Sequence, residues 1–390
     1  MSKTQSRQAS ALRFTSLKLD NWKNFTKVDV NLPRRVFLVG ANATGKSNLL
    51  DVFRFLHDLA GDVGGGFQEA VNRKRGGVSR IRSLAARRYA DVAIEVTLGS
   101  DEEPFLWRYR LAFGQDNQRR PQITHESVQH KGIQVFSRPD SEDRLDKVRL
   151  TQTYLEQIVR NRESRDVAEF FRSVQYLHVV PQLIRDPDRS IGKTDDPYGG
   201  DFLERVARVN ETTRRSWLKR IGTALKVAVP RLEEIEFIRG EKGTPHLRGK
   251  YRHWRPQGAW QNEEQFSDGT LRLIGLLWAI LDGSGPLLLE EPELSLHAEA
   301  VRQLPAIFHR ASSRTGRQIM LSTHSDSLLA DTGIGLDEVL MLTPGDNGTE
   351  VRSSAEDQQA VDLRNSGLTM AEIVIPKTRP DAVGQLALFE

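Results

Sequence analysis

Alternation of apolar and polar residues dominates the chain after a polar leader. Residues 12–32 read LRFTSLKLDNWKNFTKVDVNL and alternate on both sides of Asp20 and Asn21. Period-two alternation is typical of strands with one buried face, and polar pairs such as Asp-Asn are typical of turns. The pattern therefore predicts an antiparallel hairpin that turns at Asp20 and Asn21. Further alternating segments between residues 91 and 136 predict a second antiparallel sheet.

A different pattern begins at residues 35–39, where RVFLV is a short apolar run. Such runs are typical of strands buried on both faces. The run leads into a glycine-containing loop and then into NLLDVFRFLHDLA at 48–60, in which apolar residues recur at helical spacing. Two later runs, PLLLEE at 286–291 and RQIMLSTHS at 317–325, predict more buried strands of the parallel type. Together these segments predict an α/β core.

Charged residues dominate the middle of the chain, from about residue 140 to about residue 230. The apolar residues there follow helical spacing with polar outer faces, so we expect a mainly helical insertion. Heptads do not persist, and long coiled-coil arms are therefore not expected. Strand signals return at IEFIRG (235–240) and HLRGKYRHW (246–254).

Composition narrows the class of protein. The 390 residues are too many for one minimal domain, and 56 basic against 52 acidic side chains make the chain only weakly basic. The absence of cysteine excludes a disulfide framework, a Cys-ligated metal and thiol catalysis. The polar start and the short longest apolar stretch, Leu273–Leu281, predict a cytoplasmic protein with no membrane segment.

Residues 40–47 carry the clearest chemical signal. They read GANATGKS, which fits G-x-x-x-x-G-K-[ST] between a predicted buried strand and a predicted helix. In such a loop, hereafter the P-loop, glycines let backbone N–H groups point at phosphate oxygens. Lys46 would neutralise the β- and γ-phosphates, and Ser47 would offer its hydroxyl to Mg²⁺. The residues predicted to bind nucleotide here are Gly40, Asn42, Thr44, Gly45, Lys46, Ser47 and Asn48.

Two carboxylates, Glu290 and Glu291, end the apolar run at 287–289. An acid at this place in a P-loop protein holds the metal, and the next one orients water at the γ-phosphate. The first position usually carries Asp. Because Glu290 is one methylene longer, we expect it to hold Mg²⁺ either directly or through water, and Glu291 to act as the base.

Two weaker signals concern an anion site and a sensor. Ser267, Asp268 and Gly269 precede the apolar helical run LRLIGLLWAIL, where a serine serves either as an ordinary helix cap or as an anion ligand. His324 follows the run RQIML and is either structural or a γ-phosphate sensor. It would reach neighbouring carboxylates if the two strands pair in parallel.

The order of these parts resembles the ABC-type ATPases of the SMC and RecF kind. The resemblance covers most of the chain: NWKNF, the P-loop, an insertion, FSDGT, LLLEEPELSLH and STHS. It is greatest for stand-alone ATPases grouped with the overcoming-lysogenization-defect proteins. The resemblance implies an ABC-type P-loop ATPase head, with a mixed sheet core and an antiparallel N-terminal sheet, that takes ATP and Mg²⁺.

The resemblance also implies a head-to-tail homodimer around two ATP molecules. Ser267 and Gly269 of one subunit would complete the γ-phosphate site formed by Lys46 and Ser47 of the other, and residues 294–297 match the loop that crosses between sites. Two departures, FSDGT for LSGGQ and Glu290 for Asp, predict slow hydrolysis. No glutamine is assigned to sensing Mg²⁺.

The resemblance sets the expected domains and the biological role. The divisions are 1–138 for the first part of the head, 139–232 for the insertion, 233–345 for the second part of the head and 346–390 for a C-terminal extension. The implied role is anti-phage defence as a DNA-associated switch with a separate nuclease or toxin as effector. The alternatives are a recombination and repair ATPase and, less in keeping with the insertion, a transporter subunit.

A hydrolase with two metal ions, drawn from Glu290, Glu291, Glu293, His297 and His324, is a different class of function. Because the P-loop already gives these residues a role at a nucleotide site, a two-metal hydrolase is not needed to explain them. The segment after His324 is also too short for the nuclease domain of overcoming-lysogenization-defect proteins, so no nuclease is expected in this chain.

Three segments are candidates for contacts with partners. The basic stretch Arg73–Arg88 and the segment 246–256 contact DNA phosphates or are simply solvated. The tail resembles the QLxLF peptide that docks on the bacterial sliding clamp, or it folds back on its own domain. The clamp-binding residues would be Gln385, Leu386, Leu388 and Phe389.

Overall fold

The computed structural model describes residues 12–61, 64–86, 90–157, 163–186, 196–254 and 259–379. Its strands are β1 (Arg13–Trp22), β2 (Phe25–Asn31), β3 (Arg35–Gly40), β4 (Val92–Gly99), β5 (Trp107–Gln115), β6 (Pro121–His130), β7 (Ile133–Arg138), β8 (Gln175–Leu177), β9 (Leu232–Arg239), β10 (Pro245–Tyr251), β11 (Ala259–Asn262), β12 (Leu287–Glu290), β13 (Ile319–Thr323), β14 (Val339–Gly345) and β15 (Gly348–Ser353). Its α-helices are α1 (Lys46–Ala60), α2 (Val78–Ile81), α3 (Ser141–Leu145), α4 (Arg165–Arg172), α5 (Pro181–Ile184), α6 (Phe202–Arg208), α7 (Glu211–Ala228), α8 (Asp268–Leu281), α9 (Ala298–Val301), α10 (Leu304–Thr315), α11 (Asp326–Leu329), α12 (Gln358–Asn365) and α13 (Met370–Thr378).

The chain divides into two compact units, neither of which is continuous in sequence. The first unit consists of Met1–Gln175, Ser284–Leu288 and Phe308–Glu390, and the second of Tyr176–Gly283 and Leu289–Ile307. The predicted insertion, 139–232, is therefore shared between the units.

The first unit contains a six-stranded antiparallel sheet in the order β2-β1-β4-β5-β6-β7. β1 pairs with β4 from Arg13 opposite Gly99 to Asp20 opposite Ala93. The N-terminal hairpin and the strands at 92–138 thus form one sheet, and the prediction of a second, separate sheet was wrong. Alternation identifies a strand and its two faces, but not the strand beside it.

The hairpin turns later than the sequence predicted. Trp22 pairs with Phe25, so the turn lies at Lys23 and Asn24 rather than at Asp20 and Asn21. The Trp22 side chain is fully buried and meets Phe55 of α1 edge to face, with ring centroids 5.3 Å apart. This packing favours an extended β1 up to Trp22, because an aromatic pair of this kind adds to the gain from burial.

A mixed sheet carries the predicted buried strands, in the order β15-β14-β3-β13-β12-β8. β3 lies parallel to both β13 and β14, whereas β14 and β15 form an antiparallel hairpin. Every residue of β3 and β13 is buried, as expected of strands with both faces covered. The predicted parallel strands at 35–39 and 317–325 are therefore confirmed. β8 and β12 begin in the first unit and end in the second.

The second unit contains a three-stranded antiparallel sheet, β11-β10-β9, and the long helices α7 and α8. α7 packs against β9 and α8 through its buried stripe of Leu218, Ile221 and Leu225. The rings of Trp217 and Trp278 meet edge to face at 5.1 Å between the two helices. The side chains of one sheet face and of α8 thus form the core of this unit.

Candidate functional site

The P-loop (residues 40–47) depends on two glycines for its shape. A Cβ on Gly40 would lie 2.5 Å from the Thr44 hydroxyl and 2.7 Å from the Leu342 carbonyl oxygen. Gly45 has φ +92°, and a Cβ there would lie 2.2 Å from the side-chain amide of Asn24. Any side chain at either place would clash, so the loop can curl in this way only with glycine.

A positive charge lies at the start of α1. Lys46 is the first residue of that helix, and its side chain is folded onto the loop, where Nζ donates to the carbonyl oxygens of Gly40 (2.8 Å) and Ala41 (3.1 Å). The preceding residue, Gly45, has no side chain and makes no side-chain cap at this helix start. An ammonium group and a helix start of this kind form an anion site suited to phosphate.

The remaining predicted P-loop residues differ in exposure. Asn42 and Ser47 are exposed, whereas Thr44 is buried and donates its hydroxyl to the Ala41 carbonyl at 2.9 Å. Asn48 directs its amide to Asn24 Oδ1 at 2.8 Å. The loop therefore brings all these predicted residues together, and their contacts with nucleotide stay a prediction.

Sequence reasoning missed Asn24, whose side chain supports the P-loop from the turn between β1 and β2. Its Nδ2 donates to the Thr44 carbonyl (2.8 Å) and to Thr349 Oγ1 (2.7 Å), while its Oδ1 accepts from Asn48. One side chain thus connects the β1–β2 turn, the P-loop and β15. The available signal was the turn in NWKNF, but the turn was predicted at Asp20 and Asn21, so Asn24 received no role.

His324 lies beside the start of the P-loop. β13 and β3 pair in parallel with Thr323 opposite Val39, so His324 and Gly40 are the next residues of the two strands. The imidazole is exposed. The structure therefore places His324 beside the start of the P-loop, and γ-phosphate sensing stays a prediction.

The two acidic residues belong to the second unit, at the end of β12. Tyr176 donates its hydroxyl to Glu290 Oε2, and His178 Nδ1 lies 3.3 Å from the Glu290 carbonyl oxygen. Glu291 follows in the left-handed region with φ +43°. This conformation is rare for a residue with a side chain, and such strained residues are concentrated at functional sites.

The signature loop (residues 266–270) precedes α8 in the second unit. Ser267 caps the helix, with Thr270 N–H donating to its hydroxyl at 3.2 Å. A Cβ on Gly269 would lie 2.6 Å from the Ser295 carbonyl oxygen, so the loop packs tightly on residues 294–297. The capping role that the sequence left open is thus present, and a contact with a second subunit's ATP stays a prediction.

Asp268 makes the most specific contact of the signature loop. Its Oδ1 accepts from Arg185 Nη2 at 2.6 Å, and the same nitrogen donates to the Phe266 carbonyl at 2.7 Å. Arg272 lies one helical turn later. Burial lowers the pKa of Arg272, and the nearby charges of Asp268 and Glu291 oppose that shift.

Tyr176, His178 and Arg185 were also missed by sequence reasoning. All three lie in or after β8, a three-residue strand inside the segment interpreted as a helical insertion. A strand of that length is too short to show a period. The signal that could have revealed it is the apolar run LHVV followed by Pro181, which is unlike the charged segments on either side.

Part of the predicted basic stretch is engaged in ion pairs. Arg75 is buried against Asp51 (2.8 Å) and Asp58 (2.8 Å), and Lys74 pairs with Asp58 at 2.6 Å. Burial would raise the pKa of Asp51, but the charges of Arg75 and Lys23 outweigh it and lower that pKa to about 2. These basic residues anchor the stretch to α1, so they are poor candidates for DNA contact. Arg87 and Arg88 lie outside the described residues.

The second predicted basic segment, 246–256, is described up to Trp254. That ring is 81% exposed, whereas Arg248 is paired with Glu236 and lies over the Trp260 ring at 4.5 Å. Lys250 faces Glu234 across the β9–β10 ladder. Acidic neighbours thus offset much of the positive charge on this face.

The structure tests metal and membrane expectations only over the residues it describes. Within those ranges, no three His, Asp or Glu side chains come together as a metal-binding group. Across the same ranges, none of the helices combines the length and the apolar character needed to cross a bilayer. The predicted clamp-binding residues Gln385, Leu386, Leu388 and Phe389 lie outside the described residues.

The mixed sheet with a P-loop, together with its antiparallel companion, has the fold of an ABC-type ATPase head. A solved SMC head, bound to the C-winged helix domain of ScpA, is 12% identical with a TM-score of 0.52, and the match covers 89% of this chain and 99% of that chain. An SMC head with an extended coiled coil, bound to the C-terminal domain of ScpA from Pyrococcus furiosus, is 13% identical with a TM-score of 0.52 and covers 91% of this chain and 100% of its own. At these identities the likeness shows the fold alone, and it confirms the predicted fold class.

The family follows from the sequence match. The family model described as "AAA domain, putative AbiEii toxin, Type IV TA system" matches residues 35–330, and the chain belongs to this family of AAA-type ATPases. A search among curated proteins found no match. The narrower resemblance to the overcoming-lysogenization-defect ATPases is not tested by these comparisons and stays a prediction.

Proposed function

We propose that this chain is a Mg²⁺-dependent ATPase that closes as a homodimer around ATP. The observation that carries the proposal is the P-loop, where the ammonium of Lys46 and a helix start without a side-chain cap lie together on a glycine-shaped loop. These are the groups that bind a polyphosphate, because backbone N–H donors and a fixed cation both favour its charge. Membership of an ATPase family supports the same assignment.

The donor set also fits Mg²⁺. Mg²⁺ at nucleotide sites takes phosphate oxygens, waters and one or two protein oxygens, which the exposed Ser47 hydroxyl and the Glu290 carboxylate would supply. When bound, the ion neutralises charge on the phosphates. Tyr176 donates to one oxygen of Glu290 and so orients that carboxylate. Glu291 is proposed to orient and deprotonate the attacking water, and His324 to bond the γ-phosphate.

The second half of the site is proposed to come from another copy of the chain. Ser267, Asp268 and Gly269 stand at the start of α8, where the helix dipole favours an anion. In this arrangement ATP itself joins the two subunits, and hydrolysis reopens them, which makes the dimer a switch that a partner can sense.

Ser267→Arg tests the shared site. The larger cation should block closure of the dimer, since it fills the space in which the other subunit's γ-phosphate would lie. We expect monomeric mass with ATP and Mg²⁺ in light scattering, while ATP affinity of the monomer changes by less than about threefold. Thr315→Arg, at the exposed end of α10, is a matched control. Unaltered dimerisation of Ser267→Arg would contradict the shared site.

The biological role that fits best is anti-phage defence with a separate effector, a nuclease or a toxin. The family description, which names a toxin of a type IV toxin–antitoxin system, supports a role beside a second component. The two SMC heads were solved with a domain of ScpA, which supports a head that binds a protein partner. A repair ATPase is the alternative. A neighbouring gene for a nuclease or toxin favours defence, genes for recombination proteins favour repair, and genes for membrane-spanning subunits would indicate a transporter.

We place the proposed DNA contact on α7 rather than on the two segments that the sequence suggested. This helix has one acidic residue, Glu211, and its exposed basic residues are Arg215, Lys219, Arg220 and Lys226. Lys219 and Lys226 project on one side of the helix, outside its buried stripe, as does Arg215, which pairs with Glu211 at 3.0 Å. Two exposed lysines, Lys219 and Lys226, on a helix held by Trp217 and Trp278 suit a duplex backbone, which carries closely spaced charges.

Reversing two of these charges tests the DNA contact. Lys219→Glu with Lys226→Glu should weaken binding to duplex DNA by about tenfold to a hundredfold and reduce the salt slope, since phosphate contacts release counterions. Fluorescence anisotropy over a salt series measures both. Arg120→Glu with Arg302→Glu changes the net charge equally at exposed sites elsewhere. An equal loss in this control would contradict a local contact.

A further inference from the structure

One arginine holds both sides of the proposed γ-phosphate ligand in the signature loop. Arg185 Nη2 donates to the carbonyl oxygen of Phe266 at 2.7 Å and to Oδ1 of Asp268 at 2.6 Å. The two acceptors flank Ser267 in the chain. Arg185 and Asp268 are partly exposed, at 26% and 39% of their side chains. The contact therefore lies near the surface, at the start of α8.

Asp268 creates an electrostatic problem for the proposed function. ATP-binding signature loops of the LSGGQ type carry glycine at this place, whereas this chain places a carboxylate next to Ser267. A carboxylate a few ångströms from a γ-phosphate repels it, and the repulsion grows as closing subunits exclude water. A signature loop with Asp268 can approach ATP only when that charge is neutralised.

Two arginines lie near Asp268, and their geometry distinguishes them. Arg272 feels the charges of Asp268 and Glu291, but its buried Nε has no hydrogen-bond partner in the described part of the chain. Arg185 instead contacts the carboxylate directly and also fixes the backbone on the other side of Ser267. Arg185 therefore both neutralises the charge of Asp268 and sets the position of Ser267, whereas Arg272 does not.

We propose that Arg185 is a charge-compensating and positioning residue of the signature loop, which lets a loop with an acid accept the γ-phosphate of a second subunit. The inference rests on the proposed function. Arg185 follows Tyr176 by nine positions, and Tyr176 holds Glu290. The single segment 176–185 therefore contacts both the predicted metal ligand and the signature loop, so a shift of this segment would change the two halves of the site together.

Arg185→Ala tests the proposal in the full chain with Mg²⁺ and a non-hydrolysable ATP analogue. We expect the nucleotide-dependent dimer, measured by analytical ultracentrifugation, to weaken by about tenfold to a hundredfold. Nucleotide affinity of the monomer should stay within about threefold of wild type, because the P-loop is unchanged. Arg185→Lys retains the charge and should retain most of the dimer.

Replacing Asp268 in the Arg185→Ala background provides a second variant, which distinguishes charge compensation from a structural role. Arg185→Ala with Asp268→Asn should recover most of the dimer affinity lost in Arg185→Ala, since no charge is left to neutralise, and the loss that remains measures the positioning contact with Phe266. A purely structural loss of the Arg185 contacts would not be restored in this way. Arg205→Ala is the matched control: Arg205 pairs with Asp282 at 2.8 Å, at the other end of α8 and with similar exposure, and its loss should leave the dimer unchanged.

The outcomes separate this inference from the function on which it rests. A wild-type chain that stays monomeric with nucleotide overturns the proposed dimer, and the inference with it. If wild type dimerises, then an Arg185→Ala variant that dimerises equally well overturns the inference alone. Failure of Asp268→Asn to restore the dimer, or an equal loss in Arg205→Ala, would overturn charge compensation as the role of Arg185.

Discussion

Glu291→Gln should turn the chain into a stable ATP-bound dimer and lower kcat by about 10²-fold to 10⁴-fold. The amide keeps the shape of the carboxylate but cannot accept the proton of the attacking water, so ATP persists at the shared face. Glu291 is suited to this role by its position after β12 and by its left-handed backbone, which turns the chain sharply at the strand end. Light scattering should show a mass doubling that requires ATP and Mg²⁺.

A neighbouring carboxylate provides the control for that experiment. Glu299 lies eight residues later in α9, is exposed and pairs with Arg302. Glu299→Gln removes one negative charge from the same region and should leave turnover within about twofold of wild type. A Glu291→Gln variant that hydrolyses ATP at the wild-type rate would refute Glu291 as the base.

Lys46→Ala should abolish measurable ATP binding, with a loss of affinity of at least about a hundredfold. The ammonium is the one P-loop side chain that places a full positive charge at the phosphate site, and it already lies over the loop through its contacts with Gly40 and Ala41. Titration calorimetry with ATP measures the loss. Because the proposed dimer needs bound ATP, the variant should also stay monomeric.

Lys18→Ala is the matched control for Lys46→Ala. Lys18 belongs to the same unit, is about half exposed and pairs with Asp29 at 3.1 Å on β2. We expect this surface pair to contribute little, so ATP affinity and the melting temperature should match wild type. Retained tight binding by Lys46→Ala would mean that the P-loop has been misinterpreted.

The features that sequence predicted correctly are those whose physics is local. The P-loop is defined by glycines and a lysine at fixed spacing between a strand and a helix, and the structure shows those glycines at positions with no room for a Cβ. The buried strands at 35–39 and 317–325 were predicted because a strand covered on both faces needs a continuous apolar run.

The sequence did not predict which strands pair or which side chains pack together, because the segments that meet in the fold lie far apart in the chain. The pairing of β1 with β4 joins residues about eighty positions apart, and alternation in either strand does not specify the other. The turn at Lys23 and Asn24 was missed for a related reason. Burial of Trp22 against Phe55 favours a strand longer than the polar pair Asp20-Asn21 indicated.

The roles of the basic residues also depend on contacts that the sequence does not predict. The stretch Arg73–Arg88 was predicted to meet either DNA or water, yet Arg75 is buried between Asp51 and Asp58 of α1. Its role depends on these two carboxylates of α1, which come near Arg75 only because α1 and the following segment pack together. Similarly, nothing in the sequence distinguishes Arg185 from the other basic residues. Its importance depends on the contact with Asp268 in the folded chain.

By itself the amino-acid order determined the α/β fold of an ATPase head and a glycine-shaped P-loop, since spacing along one strand, loop and helix is enough to predict that local structure. The tertiary structure alone decided which side chains support the loop and the acids: Asn24 beneath the P-loop, Tyr176 on Glu290 and Arg185 on Asp268. Each of these contacts joins segments that are distant in the chain. Their energies depend on distances of a few ångströms that residue spacing cannot encode.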